Sequence, residues 1–270
     1  RYHRQAGDHF NEHTYDDITT AADHLHYVGE AAHDGNGVSA GVGGGHAHCG
    51  AMIYLGGGWP EEFHNNLFVN NVHGNRVNRE VLEKDRSGYV GQHGQDLLLS
   101  NDVWFRGINL RYGPDGSVVL IDWYDEQACH YVTEDIWNRT NGRMYRVSYG
   151  DVEPVQVDLG SMTEAELIKL QLHRNDWYVR TARRVLQERG LSDEGVARLR
   201  SILTESPDLT RRLRALWTLH AAGATKGEAG TDLLLEALRS EEPELRAWAI
   251  QLACEGRAPL PRFLIEMQGM

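Results

Sequence analysis

Two histidines set two residues apart, His46 and His48, are the first side chains in this sequence with the type and spacing to do chemistry. On an extended segment they project from one face, as metal-ligating or substrate-facing imidazoles must. Gly41, Gly43, Gly44, Gly45 and Gly50 around them let a ligand approach closely, and equally make an ordinary flexible loop. The pair therefore reads either as catalytic or ligand-binding residues, or as rim histidines hydrogen-bonded to backbone. A second group is Asp122, Asp125 and His130, where a strand gives way to a polar loop that also holds Cys129. Two carboxylates and an imidazole can contribute to a metal site, whereas an Asp at a strand end also closes turns through its own side chain. His73-Gly74-Asn75-Arg76 is either a turn aiming polar groups inward or a plain hairpin. Gly35-Asn36-Gly37-Val38-Ser39-Ala40 satisfies GxGxxA, but no strand precedes it and no helix clearly follows, so it is not a dinucleotide fingerprint.

The elements that must position these residues change character near Gly150. Residues 1–150 hold 21 of the 29 glycines and 12 of the 14 histidines with a net charge of −9, against −3 for residues 151–270, so two architectures are expected. In the first half, runs such as Ala51–Tyr54, Asn66–Val69 and Arg76–Val81 are short, β-branched or aromatic, and bounded by turn residues, the pattern of strands. Ile108–Tyr112, Gly113-Pro114-Asp115-Gly116 and Ser117–Asp122 read as a hairpin, with Pro114 presetting φ and Gly116 free to take φ > 0. Arg143–Tyr149 alternates polar and apolar as a last strand. In the second half Glu164–Leu172 and Val179–Leu186 have helical spacing. There, Val179-Arg180-Thr181-Ala182 recurs as Leu213-Arg214-Ala215-Leu216 and Leu245-Arg246-Ala247-Trp248, at spacings of 34 and 32 residues. A helix pair repeated at this period is an α-solenoid, since one pair cannot bury its apolar stripe alone. Arg180, Arg214 and Arg246 are then intra-repeat partners for turn carboxylates, and Trp177, Trp217 and Trp248 are core.

Composition removes several function classes. A chain 41% hydrophobic and 24% charged is neither a disordered tail nor a fibre. A net charge of −12 without a basic stripe argues against a nucleic-acid partner. No apolar run approaches the about 18 residues of a membrane span. Cys49, Cys129 and Cys254 are isolated and outside any CxxC or CxxCH pattern, so neither a zinc knuckle nor a c-type haem site is encoded.

Gly45-His46-Ala47-His48-Cys49-Gly50-Ala51-Met52-Ile53-Tyr54, Trp59-Pro60-Glu61-Glu62, and the run from Trp104-Phe105-Arg106-Gly107 to Asp122-Trp123-Tyr124-Asp125 carry a resemblance. Over nearly its whole length, and best over 1–150, the chain resembles the membrane-bound dehydrogenases of planctomycete and verrucomicrobial bacteria. Those are similar to glucose/sorbosone dehydrogenase β-propellers joined to HEAT-type repeats, often with a c-type haem domain after them. The resemblance implies a multidomain β + α chain: residues 1–150 as the closing blades of a partial β-propeller, residues 151–270 as HEAT-like helical repeats. A propeller needs several four-stranded blades, so further blades, with the principal base and Ca²⁺ ligands, are expected upstream of Arg1, and this piece alone is expected to be inactive. His48 matches a histidine near the propeller channel. Arg106 matches an arginine that helps soluble quinoprotein glucose dehydrogenases bind pyrroloquinoline quinone (PQQ), and a planar guanidinium suits that tricarboxylate. A second cofactor arginine of those enzymes falls at Trp104. Arg106 otherwise reads as a brace between blades through carboxylates.

Two functions follow. In one, the protein oxidises a sugar or polyol hydroxyl at the channel, with PQQ and Ca²⁺ as cofactors and an extracytoplasmic, periplasmic or envelope-associated location, all by resemblance. In the other, it is a non-catalytic scaffold whose propeller holds a glycan or protein and whose repeats hold a protein partner.

Overall fold

Alternating apolar residues between turn formers produce two antiparallel sheets in the first part of the chain, and amphipathic runs with capped starts produce helices in the second. This computed structural model describes residues 47–86, 88–102, 104–125, 140–256, 259 and 261–268. The chain divides into two units, Arg1–Pro154 and Val155–Met270. It is a mixed β + α protein.

In the first unit β1 (His48–Ile53), β2 (Leu67–Asn71), β3 (Arg76–Asp85) and β4 (Gly88–His93) lie side by side in chain order, and β5 (Leu98–Leu99) pairs with the start of β3. The second sheet is β6 (Gly107–Tyr112), β7 (Val118–Asp122) and β8 (Arg143–Val147). Neither sheet closes on itself. The strand expected at 76–81 runs on to Asp85, and β4 and β5 were not legible, because Gly88, Gly91 and Gln92 give β4 little apolar alternation. β6 packs against β1 and β2, around a core of Met52, Tyr54, Trp59, Phe68, Val77, Phe105, Leu110, Val118 and Leu120. Tyr54 is wholly buried. Its hydroxyl donates to Gly116 O at 2.7 Å and accepts from Gly58 N at 3.0 Å and Trp59 N at 2.9 Å, joining the loop after β1 to the turn between β6 and β7. That turn has the expected chemistry. Gly116 takes φ +79°, and a Cβ there would lie 2.5 Å from Gly58 N, so only glycine fits.

The second unit has α1 (Glu164–Lys169), α2 (Asp176–Arg189), α3 (Asp193–Glu205), α4 (Leu209–Ala221), α5 (Gly227–Leu238), α6 (Pro243–Cys254) and α7 (Pro261–Gln268). Polar residues and a proline start the helices: Thr163 and Glu166 form a capping box, Asn175, Ser192 and Asp208 cap α2, α3 and α4, and Pro243 occupies the first turn of α6. Each cap satisfies amides that have no partner inside the helix. α3 packs on α4 and α5 on α6, while α2 touches both α1 and α4. Their apolar stripes merge into one core that includes Leu167, Leu186, Leu199, Leu216, Leu238 and Leu245. None of the described helices is long and apolar enough to cross a membrane.

Three details of the helical reading are corrected. Arg214, in α4, does not stay within its own repeat: it reaches His173 O at 2.9 Å and Asp176 Oδ1 at 3.1 Å, at the head of α2. Arg246 binds the carbonyls of Ser240 and Glu241, in the loop between α5 and α6, rather than a carboxylate. Trp177, Trp217 and Trp248 are half-buried at the rim of the core rather than inside it, where Trp217 and Trp248 meet edge to face at 5.1 Å.

Candidate functional site

Strand register decides which polar side chains of the first unit meet. His48 pairs with Asn71 across β1 and β2, and Asn71 with Arg76 across β2 and β3, so one cross-strand row holds all three. Arg76, Asn78 and Glu80 alternate along β3 and therefore share a face, and Glu80 pairs with His93 of β4. Gly94 N and Leu97 N bond Arg79 O and Val77 O, holding the segment between β4 and β5 against β3.

This brings Asp96 onto the polar row and completes a constellation. His93 sits between two carboxylates, with Nδ1 2.9 Å from Glu80 Oε1 and Nε2 3.6 Å from Asp96 Oδ1. Asp96 is also held by Arg76 at 2.8 Å and Asn78 at 3.1 Å. The Arg76, Glu80, His93 and Asp96 side chains are 7–13% exposed. Burial pushes the Glu80 carboxyl above the usual carboxylate range against the pull of His93, and does the same to Asp96 against Arg76 and His93. Glu80 Oε2 is buried without a hydrogen-bond partner. Two carboxylates of raised proton affinity on either side of an imidazole have the parts to take up and pass on a proton. The sequence reading missed this group. The alternation of Arg76, Asn78 and Glu80 with Val77 and Val81 was visible, but the pairing that adds His93 and Asp96 was not.

The predicted site residues fall elsewhere or serve backbone. His48 is exposed at the start of β1; His46 and His130 lie outside the described residues. Arg106 is 3% exposed, and its Nη1 donates to Phe105 O at 2.9 Å and Val72 O at 3.4 Å, so it links the two sheets through carbonyls. Asp122 Oδ1 accepts from the backbone of Arg106 at 2.8 Å and Tyr124 at 2.9 Å, closing the turn that holds Tyr124 at φ +55°. Its Oδ2 is buried without a hydrogen-bond partner. Asp125 is half-buried beyond that turn, its backbone N–H bonded to Trp104 O at 2.9 Å. Among the described residues no three His, Cys, Asp or Glu side chains are grouped to hold a metal ion. Arg106 is buried with its Nη1 turned to these carbonyls, and no step is derived through PQQ. Cys49 Sγ lies 3.5 Å from Gly107 O, and burial pushes its thiol up, away from the reactive thiolate.

No curated protein and no solved structure matches this sequence. One family model does, the domain of unknown function DUF7133, over residues 6–151, which include every strand described above. That span is more than half of the chain, and the chain belongs to the DUF7133 family.

Proposed function

We propose that the first unit contributes to an enzyme that oxidises a sugar or polyol hydroxyl, of the glucose/sorbosone dehydrogenase kind, with its sheets serving as blades of a β-propeller and the second unit as HEAT-like repeats. The observation that carries this reading is the buried Glu80–His93–Asp96 group. Burying ionisable side chains costs stability, and such groups concentrate where proton transfer is needed. Removing hydride from an alcohol requires that its hydroxyl proton go to a base. The raised proton affinity of Glu80 and Asp96 on either side of His93 suits that step, and the exposed His48 lies on the same cross-strand row as Arg76. The electron acceptor, a quinone such as PQQ with Ca²⁺ by resemblance, belongs to the proposal without a binding residue among those described. An extracytoplasmic location and a protein partner on the repeats rest on the same resemblance.

A second reading is a non-catalytic carbohydrate- or protein-binding scaffold. It is favoured by the structural use of Arg106 and Asp122, and by exposed rings suited to stacking on sugars, Tyr89 at 69% and Trp123 at 42%. Dye-coupled reduction by the intact protein, over a panel of sugars and polyols with and without PQQ and Ca²⁺, separates the two. Turnover that is lost in His93→Gln supports oxidation. Saturable sugar binding with no dye reduction supports the scaffold.

A further inference from the structure

The second unit holds an open cavity of about 400 Å³ among α4, α5, α6 and α7. Leu234, Leu252 and Phe263 give it an apolar wall, and His220, Thr225 and Glu255 a polar one. Along that wall Thr225 Oγ1 lies 2.7 Å from His220 Nδ1, and His220 Nε2 lies 2.5 Å from Glu255 Oε2. A carboxylate only accepts, so Glu255 fixes the ring proton on Nε2 and leaves Nδ1 to accept the Thr225 hydroxyl proton. Hydroxyl, imidazole and carboxylate in line are the parts by which hydrolases activate an alcohol nucleophile, and either ring nitrogen is competent for either role.

The surrounding backbone holds the hydroxyl in place. Ala224 N bonds Leu219 O at 2.9 Å and Lys226 N bonds Gly223 O at 3.3 Å, on either side of Thr225. Gly230 of α5 lies directly behind it, since a Cβ there would stand 2.0 Å from the Thr225 carbonyl carbon. α5 begins at Gly227, which also lines the cavity, and Lys226 before it makes no side-chain cap. A first turn that starts at the cavity without a side-chain cap would offer its amides to a developing oxyanion.

We propose that this cavity is an acyl-transfer site for small esters with an apolar acyl group, with Thr225 as nucleophile, His220 as general base and Glu255 as its positioning residue. Thr225 Oγ1 bonds to the ester carbonyl carbon as its proton passes to His220 Nδ1. The carbon–oxygen bond to the alcohol then breaks, and the proton goes to the departing alkoxide. Water attacks the acyl-Thr225 ester, gives its proton to Nδ1, and the acid leaves as the Thr225 hydroxyl is restored. This site owes nothing to the proposed oxidation and stands or falls separately.

The test is release of p-nitrophenolate from p-nitrophenyl butyrate by the whole chain, with mass-spectrometric mapping of a fluorophosphonate adduct. Saturable turnover is expected. It should fall at least about 100-fold in Thr225→Val and His220→Gln, persist in Thr225→Ser, and be blocked as the adduct forms on Thr225. Turnover at the buffer rate in the folded protein, an adduct elsewhere, or Thr225→Val as fast as the parent chain overturns the proposal. Adduct mapping needs no variant, so a misfolded Thr225→Val does not spare it.

Discussion

Tyr54→Phe removes one oxygen from the centre of the first unit and leaves the ring where it is. The ring is fully buried, stacked on Trp59 at 4.3 Å and edge-on to Phe68 and Tyr112, and none of those contacts needs the hydroxyl. The hydroxyl itself serves three backbone groups, Gly116 O, Gly58 N and Trp59 N, in three different hydrogen bonds. A buried hydrogen bond contributes about 1 kcal/mol net, and more is lost when a buried partner is left unsatisfied. Three bonds therefore put the cost at about 3 kcal/mol, a large share of the stability of a domain of this size. Urea unfolding followed by tryptophan fluorescence should show a lower midpoint with an unchanged slope, because the same surface is exposed on unfolding. Tyr89→Phe, on a 69%-exposed ring, should show no change. A loss below about 1 kcal/mol for Tyr54→Phe would refute the argument that this hydroxyl ties the loop after β1 to the turn between β6 and β7.

The raised Glu80 and Asp96 carboxyls bind protons more readily in the folded chain than in the unfolded one. Their contribution is therefore greatest below the ordinary carboxylate range and is lost as pH rises through their folded values; Glu80→Gln with Asp96→Asn should flatten that limb of the urea midpoint against pH, and an unchanged limb contradicts the shifts. Glu164, lowered by its bonds to the Ser192 hydroxyl and amide, has the opposite sign: its contribution is present above the ordinary range and lost as pH falls through its folded value. Ser192→Ala should weaken that acid dependence in the helical unit, measured by far-ultraviolet circular dichroism. Arg214→Lys, which cannot reach both His173 O and Asp176 as a planar fork does, should cost about 1–3 kcal/mol of helical-unit stability in urea, and a neutral result sinks the bridging role. Gly230→Ala gains about 1 kcal/mol of helix propensity yet drives a methyl into the Thr225 backbone, so net destabilisation by about 1–3 kcal/mol is expected on heating.

What the sequence made legible was local. The turn at Gly113–Gly116, the strand flanks on either side of it, and the helical spacing of Glu164–Leu172 and Val179–Leu186 all follow from residues close together in the chain. β4 was not legible, since its glycines and glutamine carry little apolar period and its place is set by pairing with β3. The site was hidden for a related reason. His93 and Asp96 lie 13 and 16 residues beyond Glu80, and only antiparallel register and the return of the segment after β4 bring them together. Arg106 and Asp122 stood out because of what precedes and follows them in sequence, but their nearest partners are backbone atoms that no side-chain motif announces. Thr225 follows His220 by five residues in the turn after α4, but Glu255 lies 35 residues beyond His220, and only helix packing brings it to the ring.

The most direct test of the central claim is dye-coupled oxidation of sugars and polyols by the intact protein beside His93→Gln, with kcat/KM followed across pH and folding checked by circular dichroism. The account predicts turnover whose pH dependence rests on Glu80 and Asp96, and which the folded His93→Gln variant has lost. Equal turnover in the folded variant, or no turnover from the folded parent protein with any substrate and acceptor, contradicts it.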